Sequence, residues 1–295
     1  MFGRNELVGK KYFKDADAQQ LFVTSMFMTL QGEGPFRGMP AFFIRLAKCN
    51  LQCSFCDTFF DDGDWLTFDQ IEQRVEETIE DFYKSIDMER PDWTQHGVQK
   101  KRMVLVMTGG EPMLQDNIGP FLERMSGIFQ DTQIESNGTQ NTVIPESTTL
   151  VISPKCLEKR DAVTGEMRAT RYLTPRPEVL ERATCLKFVM EADPESPYSV
   201  VPDWAHEWAR VYGRPIFVSP MNNYNDIPAM SKKQRALNNG ISLEERSTVD
   251  EVISFWEPGL LNMEENQKNH EYAARYCVTH GCILNLQIHL YASLA

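Results

Sequence analysis

Apolar positions gather in short runs rich in β-branched and aromatic residues: Leu21 to Met28, Ala41 to Ala47, Met103 to Thr108, Thr132 to Glu135, Thr149 to Ser153, Cys185 to Met190, Pro215 to Ser219 and Ile283 to His289. Each has strand length and is bounded by turn residues. In Met103-Val104-Leu105-Val106-Met107 both alternating faces are apolar, the pattern of a strand in a parallel sheet covered by helices. Periodicity alone would also fit a buried helix segment; length and the flanking glycines decide for strand. Between the runs lie helical patterns. Thr67 and Gln70 have capping-box spacing ahead of Ile71, Val75, Ile79 and Phe82. Asn117 is placed to cap a second helix reaching about Phe129, and a third spans Asn266 to Thr279 with Gly281 at its C-terminus. Strand and helix alternate, which predicts an α/β fold.

The chain has 295 residues, 42% of them hydrophobic and 24% charged, which suits a folded domain and excludes disordered and fibrous classes. With no internal repeat and no Pro/Ser linker, a single domain over residues 1–295 is expected. Stretches at about 84–102, 156–182 and 222–267 read as insertions. The basic clusters inside them, Lys100-Lys101-Arg102 and Lys232-Lys233, read as solvated surface. A net charge of -12 opposes sequence-independent nucleic-acid binding, although an anionic small molecule could still be held locally. No apolar run approaches the ~20 residues of a membrane span, and Met1 to Lys14 has no signal-like apolar core, so a cytoplasmic location is expected.

Seven cysteines are too few for a secreted disulfide scaffold, and three crowd into the eight residues Cys49 to Cys56. Cys156, Cys185, Cys277 and Cys282 read as small buried hydrophobes. The Cys-x3-Cys-x2-Cys unit of Cys49, Cys53 and Cys56 follows the strand Ala41 to Ala47, at the strand end where α/β folds place their sites. A 4Fe–4S cluster normally takes four thiolates, so three leave one iron open to an exogenous ligand. Structural zinc is the alternative, but it commonly uses paired Cys-x2-Cys knuckles, and no second knuckle or fitting His follows. Thr108-Gly109-Gly110-Glu111-Pro112, Glu135-Ser136-Asn137-Gly138-Thr139 and Ser153-Pro154-Lys155 close successive strands. Singly each is turn punctuation; together they make a polar rim.

The cysteine spacing, with aromatic Phe55 before the third cysteine, resembles the radical S-adenosylmethionine superfamily. The resemblance implies a 4Fe–4S cluster on Cys49, Cys53 and Cys56 whose open iron binds S-adenosylmethionine and cleaves it to a 5′-deoxyadenosyl radical. It also implies that Ser54, Phe55, Asp57, Gly110, Glu111, Glu135, Ser153 and Lys155 hold that cofactor. Upstream, Leu30-Gln31-Gly32-Glu33-Gly34-Pro35, Phe43-Ile44-Arg45-Leu46-Ala47 and Cys49-Asn50-Leu51-Gln52-Cys53-Ser54-Phe55-Cys56-Asp57-Thr58 resemble the 7-carboxy-7-deazaguanine synthase family. Further matching blocks are Leu186 to Val189 and Gln287 to His289.

That resemblance implies a lyase with an incomplete (β/α) barrel of the radical S-adenosylmethionine type. It would contract the ring of 6-carboxy-5,6,7,8-tetrahydropterin to 7-carboxy-7-deazaguanine with loss of ammonia, in queuosine or other 7-deazapurine synthesis. Hydrogen would leave carbon 6 of the pterin and later return. Leu30, Gln31, Gly32, Glu33, Arg45, Thr108, His289 and the terminal carboxylate of Ala295 would contact the pterin, and Thr58 would bind Mg²⁺. Taken alone, Gln31 to Gly34 would make a hairpin tip, Arg45 a surface ion pair and Asp57-Thr58 a turn cap. Gln287 and His289, two apart on the expected last strand, would share one face. A homodimer fed with electrons by flavodoxin or ferredoxin is also implied, with no nucleic-acid or membrane partner. Lys48 stands where the family commonly has glycine, Ser136 where it has threonine, and the tail ends in alanine rather than proline. The rival readings are a radical activating enzyme with a protein substrate and a non-catalytic iron–sulfur or zinc module; Gln31 to Gly34 and Arg45 weigh against the first, the Gly-Gly-Glu-Pro motif against the second.

Overall fold

A computed structural model describes residues 6–14, 16–17, 19–56, 60–93, 100–160, 167–225 and 261–292. The strands are β1 (Gln20–Leu30), β2 (Pro40–Leu46), β3 (Asp64–Thr67), β4 (Lys101–Gly109), β5 (Phe129–Ser136), β6 (Thr149–Ile152), β7 (Cys156–Arg160), β8 (Met167–Tyr172), β9 (Cys185–Met190), β10 (Ile216–Pro220) and β11 (Ile283–Leu284). Nine of them form one sheet in the order β11-β10-β9-β6-β5-β4-β2-β1-β3. The seven strands from β2 to β11 pair in parallel, while β1 runs antiparallel to both β2 and β3. The fold is therefore mixed α/β with a large parallel sheet, as the alternation of patterns predicts.

The helices are α1 (Phe68–Ser85), α2 (Ile118–Met125), α3 (Pro177–Arg182), α4 (Asp203–Tyr212), α5 (Met263–His280) and α6 (Ile288–Ala292). Thr67 caps α1 in a complete capping box: its hydroxyl accepts from the Gln70 N–H at 3.2 Å, and the Gln70 side chain accepts from the Thr67 N–H at 2.8 Å. Gly281 ends α5 in the left-handed conformation, with φ 70°. The second helix is shorter than its pattern suggested. The Asn117 amide donates to the Asp17 and Gln20 carbonyls instead of capping, and the chain turns after Met125 to start β5 at Phe129.

The last expected strand is also corrected. Only Ile283 and Leu284 pair with β10; the Asn285 N–H makes the last bond to it, on the Val218 carbonyl at 2.9 Å, and Ile288 begins α6. Gln287 thus sits in a loop and His289 in a helix, so they do not share a strand face.

The sheet's two faces differ. Phe42, Ile44 and Leu46 of β2, Met103, Leu105 and Met107 of β4, Leu186, Phe188 and Met190 of β9 and Val218 of β10 pack with helical residues such as Ile71, Val75, Phe121 and Ala273 in the main core. The alternate residues face the other way and pack in smaller groups, Ala41 with Val104 and Val106, and Val151 with Cys185 and Phe217. Continuous burial of the central strands follows from this double covering.

The expected insertions contain regular structure where they are described. Lys101 and Arg102 belong to β4, β7 and β8 pair as an antiparallel hairpin followed by α3, and residues 263–267 open α5. Lys232-Lys233, Asp57, Thr58 and Ala295 lie outside the described residues. No helix among the described residues is long and apolar enough to cross a membrane.

Candidate active site

Along the inner sheet face the character of the side chains changes from apolar to polar. On β2, Phe43 is followed two residues later by Arg45; on β4, Val106 by Thr108; on β10, Phe217 by Ser219. Arg45 and Thr108 are register partners. With Glu135 of β5 and Lys187 of β9 they line a cavity of about 230 Å³, several times the ~30 Å³ share of one water.

Two loops complete this cavity from opposite ends of β2. The β1–β2 connection precedes Pro40, closed by the Gln31 N–H on the Met39 carbonyl at 2.8 Å, and brings in Gln31 and Glu33. The cysteine loop follows Leu46 and contributes Cys49, Cys53, Phe55 and Cys56. Gly32 makes the first arrangement possible, because a Cβ there would lie 2.5 Å from His289 Nδ1.

Charged groups inside the cavity are cross-linked. Lys187 donates to Glu135 Oε2 at 2.7 Å and to Glu33 Oε2; its side chain is 8% exposed, against 14% for Glu33 and 12% for Glu135. Burial pulls the Lys187 pKa down, but the two carboxylates outweigh it and hold the ammonium above the ordinary lysine range. Glu135 Oε1 accepts from Gln31 at 3.2 Å and Gln133 at 3.0 Å, and Glu33 Oε1 accepts from Ser219 at 3.0 Å. Asn285 ties the floor to β10, accepting from the Gly34 N–H at 2.9 Å and donating to Ser219 at 2.8 Å. Lys155 donates to the Ser153 hydroxyl at 2.6 Å and its carbonyl at 2.9 Å, and burial lowers its pKa.

The cysteine loop is fixed from several sides. Gly110 packs so closely on it that a Cβ would overlap the Lys48 carbonyl oxygen and lie 3.1 Å from the Cys49 nitrogen. Asn50 donates to Thr139 at 2.7 Å and accepts from Asn137 at 2.9 Å. Lys48 adopts φ 72°, the left-handed region that favours glycine, and its ammonium pairs with Glu6 at 2.8 Å. A glycine would adopt that backbone without strain.

Cys49, Cys53 and Cys56 share one cavity wall, but among the described residues no three His, Cys, Asp or Glu side chains stand gathered as a ready metal site. Burial pushes the Cys49 thiol up to about 12 and raises Cys53 as well. Neutral thiols gain little from convergence; binding of a metal would draw them together and release their protons. A donor set of three thiols in one loop, next to a polar cavity, suits an iron–sulfur cluster with an open iron.

Of the residues singled out in the sequence, Gln31, Glu33, Arg45, Thr108, His289, Phe55, Gly110, Glu135, Ser153, Lys155 and the three cysteines line the cavity. Leu30, Gly32, Ser54 and Glu111 do not. Glu111 is fully buried and accepts from the Met113 N–H, the Ser136 hydroxyl and the Asn137 N–H at 2.9, 2.8 and 2.7 Å; burial raises its pKa. It braces the rim from behind. Lys187, Ser219 and Asn285 were not singled out, although Lys187 interrupts an apolar strand in phase with Val189, a readable sign of an inward charge.

No family model matches the chain. It is 33% identical over 222 residues to the 7-carboxy-7-deazaguanine synthase of Rickettsia prowazekii, covering 75% of this chain and 81% of that one. To the enzyme of the same name from Rhodospirillum rubrum it is 30% identical over 234 residues, covering 76% and 83%. The solved structure of QueE from Escherichia coli aligns with a TM-score of 0.49 at 18% identity, covering 95% of this chain and 99% of that chain.

Proposed function

The chain belongs to the 7-carboxy-7-deazaguanine synthase family, and from that premise we propose that it contracts 6-carboxy-5,6,7,8-tetrahydropterin to 7-carboxy-7-deazaguanine with loss of ammonia. The observation that carries this reading is one cavity shared by the three-cysteine loop and the buried Gln31, Glu33, Glu135 and Lys187 network. We read the parallel strands, with their polar inner ends around that cavity, as an open (β/α) barrel. A sheet drawing strands from Gln20 to Leu284 supports a single domain.

In this reading Cys49, Cys53 and Cys56 hold a 4Fe–4S cluster, and Ser153, Lys155 and Glu135 receive the polar groups of S-adenosylmethionine. When bound, cluster and S-adenosylmethionine together supply a radical that abstracts hydrogen. Phe55 gives the cofactor an apolar wall. Gly110 leaves room at the strand end, while Glu111 holds Ser136 and Asn137 in place behind it.

The pterin needs acceptors and donors for its edge and a cation for its carboxylate. Gln31 and Glu33 supply the first, Arg45 with Thr108 the second, and a bidentate fork suits a carboxylate. Lys187 bridges Glu33 and Glu135 and offsets part of their charge, so that two carboxylates can share a site screened from water. His289 and Gln287 close the wall beside Gly32. Thr58 would add a hydroxyl for Mg²⁺, which takes oxygen ligands and keeps waters. Electrons would come from a small carrier such as flavodoxin or ferredoxin, and a homodimer fits the resemblance.

The test is anaerobic turnover of the reconstituted protein with S-adenosylmethionine, reductant, Mg²⁺ and the pterin, following product by mass. Product that vanishes in Cys53→Ala supports the reading. Cleavage of S-adenosylmethionine with the pterin untouched refutes the substrate assignment.

A further inference from the structure

The hairpin of β7 and β8 grows from the active-site rim, because Cys156 directly follows Lys155 and the Leu173 N–H returns to the Lys155 carbonyl at 2.8 Å. Its base is fixed in the fold. The Cys156 N–H donates to the Tyr198 hydroxyl at 3.0 Å, and the Tyr172 ring meets Phe188 and Tyr198 edge-on at 5.3 and 5.7 Å. From this base the half-buried Glu158 reaches the cysteine loop. Its Oε2 accepts from the Ser54 N–H at 2.8 Å, and its Oε1 accepts from the Ser54 hydroxyl at 3.2 Å and the Tyr198 hydroxyl at 3.4 Å.

Ser54 lies between Cys53 and Cys56, and its neighbour Phe55 packs with Cys156, Tyr198 and Met221, its ring edge-on to Tyr198 at 5.1 Å. One carboxylate therefore holds both donors of the residue at the centre of the loop, and one tyrosine touches both the carboxylate and the aromatic wall. Within the segment the Cys56 N–H closes a turn on the Cys53 carbonyl at 3.2 Å, and the other described hydrogen bonds of the loop act at Lys48, Cys49, Asn50 and Leu51. That turn encloses Ser54 without engaging its N–H, which Glu158 takes.

We propose that Glu158 is a positioning residue for the reaction: through Ser54 it sets the path of the Cys53 to Cys56 segment and the placement of Phe55 against S-adenosylmethionine. This rests on the reading of the loop given under Proposed function. The two Ser54 hydrogen bonds are charge-assisted, and their donors belong to a loop rather than to a helix or strand, so removing the acceptor frees the segment without unfolding the sheet. A displaced Phe55 weakens cofactor binding more than it slows a bound complex.

Four full-length proteins, wild type, Glu158→Ala, Glu158→Gln and Ser54→Ala, are compared by hydrogen exchange and by S-adenosylmethionine cleavage after anaerobic reconstitution. In Glu158→Ala, exchange at residues 53–56 should rise about tenfold while α1 is unchanged. The KM for S-adenosylmethionine should rise about tenfold, with kcat lowered less than about threefold. Glu158→Gln keeps one acceptor and should recover most of both losses; Ser54→Ala keeps the backbone bond and should fall between. Unchanged exchange and KM in Glu158→Ala overturn the proposal. So does exchange that rises across the whole sheet, which would mark a general structural role. If the wild type cleaves no S-adenosylmethionine, the functional reading fails, and exchange at residues 53–56 alone decides whether Glu158 positions the loop.

Discussion

Replacing Lys187 by methionine keeps the side chain's length and removes its charge. The ammonium bridges Glu33 and Glu135, all three side chains being mostly buried. Its loss leaves two carboxylates facing each other with only neutral donors, Gln31, Gln133 and Ser219. Breaking a buried ion pair by removing one partner costs about 3–5 kcal/mol, far more than the pair itself contributes over a hydrophobic substitute. For 295 residues that lowers the midpoint of thermal unfolding by roughly 5–8 °C. The pH dependence has a definite sign. Because the folded pKa of Lys187 is raised, its contribution is complete below the ordinary lysine value of about 10.4 and is lost only as pH rises through the folded value. The gap between wild type and variant should therefore be constant from about pH 6 to pH 9. Thermal unfolding by circular dichroism of the cofactor-free protein reads it. Adding Glu33→Gln and Glu135→Gln to the variant should restore about 2 kcal/mol or more, since the uncompensated charges go with them. A loss below about 1 kcal/mol, or no recovery in the triple variant, would refute the reasoning.

Three further changes probe other contacts. Gly110→Ala forces a methyl group into the Lys48 carbonyl, so it should cost about 1–3 kcal/mol and reduce S-adenosylmethionine cleavage at least about tenfold, measured by unfolding and by product analysis. At position 48 the left-handed backbone makes the comparison of two small residues informative: Lys48→Gly should be more stable than Lys48→Ala by about 1 kcal/mol in denaturant unfolding. Asn285→Ala leaves the Gly34 N–H without its side-chain acceptor, which should cost about 1–3 kcal/mol and raise the KM for the pterin while leaving that for S-adenosylmethionine within about twofold.

What could be read from the sequence was local or strongly periodic. The capping box of Thr67 and Gln70 involves residues three apart, and β4 shows its double burial in five consecutive apolar residues. The cysteine loop and the rim motifs were legible because each sits in a few adjacent residues. The misreadings arose where distant contacts decide. Beyond Leu284 the alternating pattern continues, yet Asn285 makes the last backbone bond to β10, at Val218, while its side chain engages Gly34 and Ser219, far away in the sequence, and α6 follows. Asn117 has the right residue type for a cap, but carbonyls of Asp17 and Gln20 take its amide. The hairpin of β7 and β8 is polar and short, and Tyr198 and Phe188 stabilise its root from other elements. Helix α4 does show its signal, with Ala205 and Trp208 three apart and buried, but in a run of only ten residues. Lys187 was visible as a charge in an apolar strand; its meaning depends on Glu33 and Glu135, which only the fold brings to it.

The central claim is that the cysteine loop and the polar cavity floor serve one reaction, with pterin and cofactor in contact between them. Deuterium placed at carbon 6 of the pterin tests this most directly, in anaerobic turnover followed by mass spectrometry of the recovered S-adenosylmethionine. The account predicts deuterium in that S-adenosylmethionine, with 7-carboxy-7-deazaguanine formed alongside. Product without any transfer, or cleavage of S-adenosylmethionine that is indifferent to the pterin, would contradict it.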